Sequence, residues 1–153
     1  MSSLLIRDAT AADLPRVVEL LQQMSLDEPR ESPGPPLPRS YYDALAAIER
    51  DANHRLLVLC EGESVLATAS FFVVPNISYG GRPHAIIENV VVDAAERGHG
   101  VGAALVRHCI ELAREAGCTR LSLSTDARRA DAHRFYERLG FVASHRGYRL
   151  KLA

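Results

Sequence analysis

A chain of 153 residues, 47% hydrophobic and 24% charged, is expected to form one soluble globular domain, with room for a core but not for two ordinary domains. Its net charge of −1 gives no reason to expect nucleic acid as a partner, and no apolar stretch nears the roughly 20 residues of a membrane span. Cys60, Cys109 and Cys118 lack C-x-x-C spacing and no signal-peptide pattern opens the chain, so a reducing, cytoplasmic setting without disulfides is expected.

"SLLIR" (3–7) reads as a short strand. Thr10 with Asp13 has the form of a capping box, and Leu14, Val17, Val18, Leu21 and Met24 then recur at helical spacing. Residues 25–40 hold five prolines and a glycine, which excludes regular structure; such a long loop is either functional or disordered. Ser40 and Asp43 open a second helix with Tyr41, Ala44, Leu45 and Ile48 on one face. Residues 55–74 read as two strands around an "EGES" turn, and 75–83 as a further turn region. "HAIIENVVVD" (84–93) is a strand apolar on both faces except at Glu88 and Asn89. A buried strand holds a carboxylate only with a use or a partner for it.

From Gly100 to Gly117 the pattern is an amphipathic helix, with Leu105, Cys109, Leu112 and Ala116 on its dry face and Gly117 as C-cap. "RLSLST" (120–125) reads as a strand. "RADAHRFYERLGF" reads as a helix with Ala132, Phe135, Tyr136 and Leu139 in line, closed by Gly140 and Phe141 as a Schellman cap. "FVASH" and "GYRLKL" read as two last strands. The order β-α-α-β-β-β-α-β-α-β-β describes an α+β or mixed α/β domain without internal repeats.

"RGHGVG" (97–102) places three glycines at alternate positions before a helix. The charge changes at the same point: residues 1–96 hold seven Arg against fourteen Asp and Glu, net −7, and residues 97–153 eleven Lys and Arg against five, net +6. A P-loop is excluded because no Gly-Lys-Ser/Thr follows. A Rossmann fingerprint is met formally by Gly98, Gly100 and Ala103, with Asp126 as ribose acid, and would make the chain a nicotinamide-dinucleotide binder. Four residues separate strand from glycines, however, and only one βαβ unit follows. A plain turn does not need three glycines.

"VVVDAAERGHGVGAALV" carries R-x-x-G-x-G at Arg97, Gly100 and Gly102, between a strand and an amphipathic helix. This resembles the coenzyme A pyrophosphate loop of the GCN5-related N-acetyltransferase (GNAT) superfamily, and "DAHRFYERLGF" is similar to its tyrosine-bearing segment. The resemblance implies a twisted, mixed but mostly antiparallel sheet of about seven strands flanked by about four helices, in one catalytic domain spanning 1–153. It implies acetyl-CoA as donor, with Arg97, Gly98, His99, Gly100, Val101, Gly102 and Ala103 cradling the diphosphate, and a homodimer is plausible by family habit. It also implies that the backbone of Val90, Val91 and Val92 pairs with the pantetheine arm, the Val90 amide serving as oxyanion donor. The physics agrees: a helix N-terminus offers unpaired N–H groups and a positive dipole end to an anion.

Tyr136 is the candidate general acid, because a phenol at about 10 can protonate a thiolate whose thiol titrates near 8.5. Glu88 is the candidate base for the amine, directly or through water. Where many superfamily members place an asparagine before the tyrosine helix, "TDARRADAH" offers arginines; Arg129 and His133 are candidate cofactor contacts. His84, His133 and His145 match no common metal spacing, so no metal is expected, and Cys109 reads as core. The ending is similar to that of acetyltransferases of small aminoalkylphosphonates, but the acceptor, small molecule or peptide, stays open. So does a non-catalytic acyl-CoA sensor.

Overall fold

A computed structural model describes residues 3–153. The chain divides into two compact units, one ending at Ser122 and one beginning at Leu123.

The first unit is a five-stranded sheet in sequential order: β1 (Leu4–Asp8), β2 (His54–Glu61), β3 (Ser64–Val74), β4 (His84–Val92) and β5 (Leu121–Ser122). The first four run antiparallel to their neighbours and β5 pairs parallel to β4. Helices α1 (Leu14–Gln22), α2 (Arg39–Glu49), the single turn α3 (Ser78–Gly81) and α4 (Val101–Glu115) complete it. The residues that alternate along β2 and β3 feed two cores. Val17 and Leu20 of α1 pack with Val58, Cys60 and Val91. Leu57, Leu59, Ala67 and Ala69, whose side chains point to the opposite side of the sheet, are buried as well.

The α1 entry shows how local chemistry becomes tertiary structure. The Asp13 carboxylate accepts the Thr10 N–H at 2.7 Å, as a capping box requires, and also takes both Arg7 Nη atoms at 2.6 and 3.0 Å. Arg7 thus ties β1 to the start of α1, and the paired guanidinium holds Asp13 down to about 2. The proline-rich stretch is irregular but fastened: Gln22 Oε1 accepts the Glu31 N–H at 3.0 Å, Tyr41 Oη accepts the Ser32 N–H at 3.0 Å, and Tyr41 donates to Glu31 at 2.8 Å. Tyr41, expected on an apolar face, serves this loop instead, and Leu45 is the buried residue of α2.

In α4 the buried stripe is Gly102, Leu105, Val106, Cys109 and Ala113. The expected face is therefore rotated: Leu112 is half-buried and Ala116 exposed, since Gly102 and Ala113 let the helix lie close to the sheet on their side. Gly117, at φ +74°, closes it, with Cys118 N–H reaching Ala113 O.

The second unit holds α5 (Ala130–Arg138). Its Schellman closure is complete: Gly140, at φ +98°, donates to Glu137 O at 3.0 Å and Phe141 to Tyr136 O at 3.1 Å.

The counts expected from sequence need correction. Among the described residues there are five strands rather than seven and five helices rather than four. The fifth helix is α3, a turn that Tyr79 and Gly80 enter at positive φ. The strand expected over 120–125 is confined to Leu121–Ser122, and 141–152 forms no strand. Val142, Tyr148, Leu150 and Leu152 are 80–90% exposed. Alternation marks one face as apolar, but a strand exists only where a neighbour takes its ladder of hydrogen bonds, and sequence does not specify that neighbour.

Candidate active site

The candidate site is built on β4. Thr68 pairs with Val91 and Ser70 with Glu88, so Asn89 and Val90 together oppose Ala69. The extra residue is accommodated by Asn89 at φ +52°, one of two described non-glycine residues in the left-handed region. The bulge resets the alternation. Glu88 and Val91 now share a face with Leu56 and Val58, the face α1 covers. Glu88 is exposed there rather than buried among the valines, which explains how an apolar strand tolerates it. The parallel pairing with β5 covers Ala85 and Ile86 alone, so from Ile87 onward β4 is paired on its β3 side. Val90 and Val92 are half-buried and Val91 is core.

After Val92 the chain makes a one-turn 3-10 helix (Ala94–Glu96), capped by Asp93, and then the glycine loop. Gly98 lies at φ +84° and Gly100 at φ +79°. A Cβ at either position would meet nothing within 4 Å, so backbone conformation, not crowding, requires glycine there. Gly100 is the N-cap of α4, and the first bond within the helix runs from Ala104 N–H to Gly100 O at 3.0 Å. The N–H groups of Val101, Gly102 and Ala103 thus have no partner within the helix and point out of its positive end. Arg97 is fixed by Nε donating to Val92 O at 3.3 Å, and the Nη atoms of the same guanidinium suit a phosphate. The His99 ring is exposed beside Glu96, 3.8 Å away.

In the second unit the half-buried Tyr136 ring is held between two edges, Phe135 at 5.0 Å and Phe141 at 5.6 Å between centroids. The "RLGF" closure therefore returns Phe141 onto the tyrosine. Asp126 accepts from the backbone and guanidinium of Arg128 at 2.8–3.0 Å, and Arg128 holds its carboxyl well below the usual range. His133 Nε2 lies 3.0 Å from Asp126 O, and Arg129 donates its N–H to the same oxygen at 3.0 Å. The segment before α5 is thereby a closed hydrogen-bonded turn, with the side chain of Asp126 already committed. Burial pushes the Cys109 thiol up to about 12, so it is no nucleophile at neutral pH.

Three features escaped the sequence reading. The Asn89 bulge had a visible signal, the polar pair interrupting an apolar strand. Arg16 and Gln23 had none, for they reach residues 93–94 from a helix some seventy positions earlier.

The Acetyltransferase (GNAT) family pattern matches residues 18–141. The chain is 32% identical over 149 residues to the glucosamine 6-phosphate N-acetyltransferase of Trypanosoma brucei brucei, covering 96% of this chain and 95% of that one. It is 32% identical over 143 residues to the aminoalkylphosphonate N-acetyltransferase of Salmonella typhimurium, covering 92% and 86%. A crystal structure of a transcriptional regulator from Bacillus halodurans superposes with a TM-score of 0.93 at 41% identity, over 98% of this chain and 100% of that one. With a left-handed glycine loop at the head of α4 and this agreement along the whole length, the nicotinamide reading gives way, and the chain belongs to the acetyltransferase (GNAT) family.

Proposed function

We propose that this acetyltransferase transfers the acetyl group of acetyl-CoA to the primary amine of a small molecule bearing a phosphate or phosphonate, by direct attack in a ternary complex. The observation that carries the donor half is the loop of Gly98 and Gly100 at positive φ, with open space above both, leading into the unpaired N–H groups of α4. The acceptor half is supported by two relatives matched over nearly their whole lengths, which are named for glucosamine 6-phosphate and for aminoalkylphosphonates. We read residues 1–153 as one catalytic domain in the cytoplasm, since the family match runs from 18 to 141 across both units and the three cysteines are free.

In this mechanism the loop from Arg97 to Ala103 holds the diphosphate, and Arg129 and His133 are further cofactor contacts. The backbone of Val90, Val91 and Val92 aligns the pantetheine arm. Glu88, directly or through a water, takes the proton that makes the amine a nucleophile. The amine nitrogen bonds to the thioester carbon, and the negative charge on the carbonyl oxygen is met by the Val90 amide. The C–S bond then breaks, Tyr136 gives its phenolic proton to the leaving thiolate, and the proton left on the new amide nitrogen passes to solvent, from which the phenolate is restored.

The test is thiol release from acetyl-CoA with glucosamine 6-phosphate, an aminoalkylphosphonate, glucosamine and a short peptide. Charge-assisted hydrogen bonds to the phosphorus oxyanion should favour the first two in kcat/KM by about tenfold or more. Equal rates for glucosamine or the peptide would overturn the acceptor reading. Glu88→Gln should lower kcat by about a hundredfold while acetyl-CoA still raises the unfolding midpoint. A sensor that binds acyl-CoA without turnover is favoured by one observation, the regulator among the similar structures; turnover of any amine removes it.

A further inference from the structure

We propose that Asp93 is a positioning residue for the donor, pinned by Arg16 of α1 and Gln23 at its C-terminal cap so that the path from β4 into the glycine loop has a single course. The proposal rests on reading that loop as the diphosphate site.

Residues 93–97 are the bridge between sheet and loop, and they contain no large apolar side chain that packing could hold. Polar contacts hold them instead. Asp93 donates its N–H to Leu66 O at 2.8 Å. Its carboxylate accepts Arg16 Nη2 at 2.6 Å on one oxygen, and Gln23 Nε2 at 3.3 Å and the Ala95 N–H at 3.4 Å on the other. Gln23 completes the clasp by accepting the Ala94 N–H at 3.0 Å through Oε1. Arg16 is itself fixed, with Nε on Val65 O at 3.1 Å and Nη1 on Glu19 at 3.2 Å. Asp93 and Ala94 are thus bound to the α1 region and the β3 backbone, and Ala95 is bound to the Asp93 carboxylate. The pair is sheltered: the Asp93 side chain is 20% exposed and that of Arg16 34%, against 68% and 91% for the surface pair Asp43–Arg39. Arg16, and after it Gln23, keeps the Asp93 carboxyl below its ordinary range.

The chemistry explains why such a frame matters. The diphosphate is gripped by main-chain N–H groups, whose positions follow from where the chain enters the loop. Moving the entry by a fraction of an ångström misaligns several donors together, because hydrogen bonds weaken steeply with angle. A donor without the diphosphate would not sense the change. The neighbouring residue supplies a control. Gln22 offers the same amide from the same helical turn but holds Glu31 in the proline-rich loop.

The experiment uses the full chain, with acetyl-CoA and S-acetylpantetheine as alternative donors and an accepted amine. Asp93→Ala should raise KM for acetyl-CoA about tenfold, the loss expected for a charged hydrogen bond, and leave kcat, KM for S-acetylpantetheine and KM for the amine near their wild-type values. Asp93→Asn, which keeps an acceptor for Gln23 and Ala95, should recover part of the loss. If Asp93→Ala does not fold, Gln23→Ala carries the same split with a smaller rise, while Gln22→Ala leaves KM for acetyl-CoA unchanged. A parallel rise for both donors, or equal effects of Gln22→Ala and Gln23→Ala, overturns the proposal. If acetyl-CoA fails to raise the unfolding midpoint of the wild-type chain, the donor-site reading itself falls, and the pin with it.

Discussion

The two segments that carry the family resemblance are held in different ways. The glycine loop of residues 97–102 is reached through a bulged strand, a capped 3-10 turn and a clasp of side chains from α1, all anchored on a buried sheet. The tyrosine segment sits on a helix with no fully buried residue, and its ring is fixed by two aromatic edges and a Schellman closure. The difference fits the part proposed for each. A loop that works through main-chain N–H groups must have its backbone fixed, and only a rigid body does that. A phenol needs only its ring directed, and neighbours within five positions of it on the chain suffice.

The strongest way to break this contrast is to remove a side-chain function without disturbing backbone. Tyr136→Phe keeps the ring and therefore both edge contacts, and takes away the proton. It should lower kcat by about a hundredfold or more and leave the rise of the unfolding midpoint with acetyl-CoA in place. A variant with wild-type kcat would take the tyrosine out of the chemistry and reduce its segment to packing.

The converse test lies in the loop, where side chains should matter little and conformation a great deal. Gly100→Val forces a β-branched residue to φ +79°, a strain of about 1–2 kcal/mol or a shifted helix start. Acetyl-CoA affinity, read by thermal shift or calorimetry, should fall about tenfold. His99→Ala in the same loop should bind acetyl-CoA like the wild type, since its ring is exposed and only its N–H serves. If the order of these two effects were reversed, the loop would be working through its histidine.

Much of the first unit was legible because local and tertiary demands coincide there. The capping box at Thr10 and Asp13, the two strands of 55–74 and the glycine cap of α4 are each written within a few residues and found in place, as is the glycine cap of α5 in the second unit. What was not legible depends on distant partners. Periodicity placed Tyr41 on an apolar face, but a phenol can equally close a loop, and the N–H of Ser32 decided it. The polar pair Glu88–Asn89 signalled an interruption in β4, but not that a bulge there would rotate every later side chain of the strand. For the site, the glycines and the tyrosine were visible as residue types at set spacings, whereas the clasp on Asp93 joins positions 16, 23 and 93 that nothing in the sequence links.

Acid titration offers the finest discrimination between the two segments. Each of the two units has an aspartate held below its ordinary range by an arginine, Asp13 by Arg7 and Asp126 by Arg128, but the two environments differ. Asp13 is buried at the root of α1, in the body that carries the glycine loop, and its folded value of about 2 lies below the ordinary 3.8. A depressed carboxyl contributes stability that is fully present above its unfolded value and is lost as pH falls through the folded one. The contribution of about 2 kcal/mol should therefore be whole at neutral pH and drain away between about pH 4 and pH 2. Asp13→Asn should lower the midpoint at pH 7 by about 5 °C, and wild type and variant should converge in acid. Asp126 lies in water, where a screened pair contributes little, so Asp126→Asn should leave the midpoint unchanged across the same range. A loss at Asp126 equal to that at Asp13 would mean that the turn before α5 is as rigid as the root of α1, and the distinction between a fixed backbone and a directed ring would not hold.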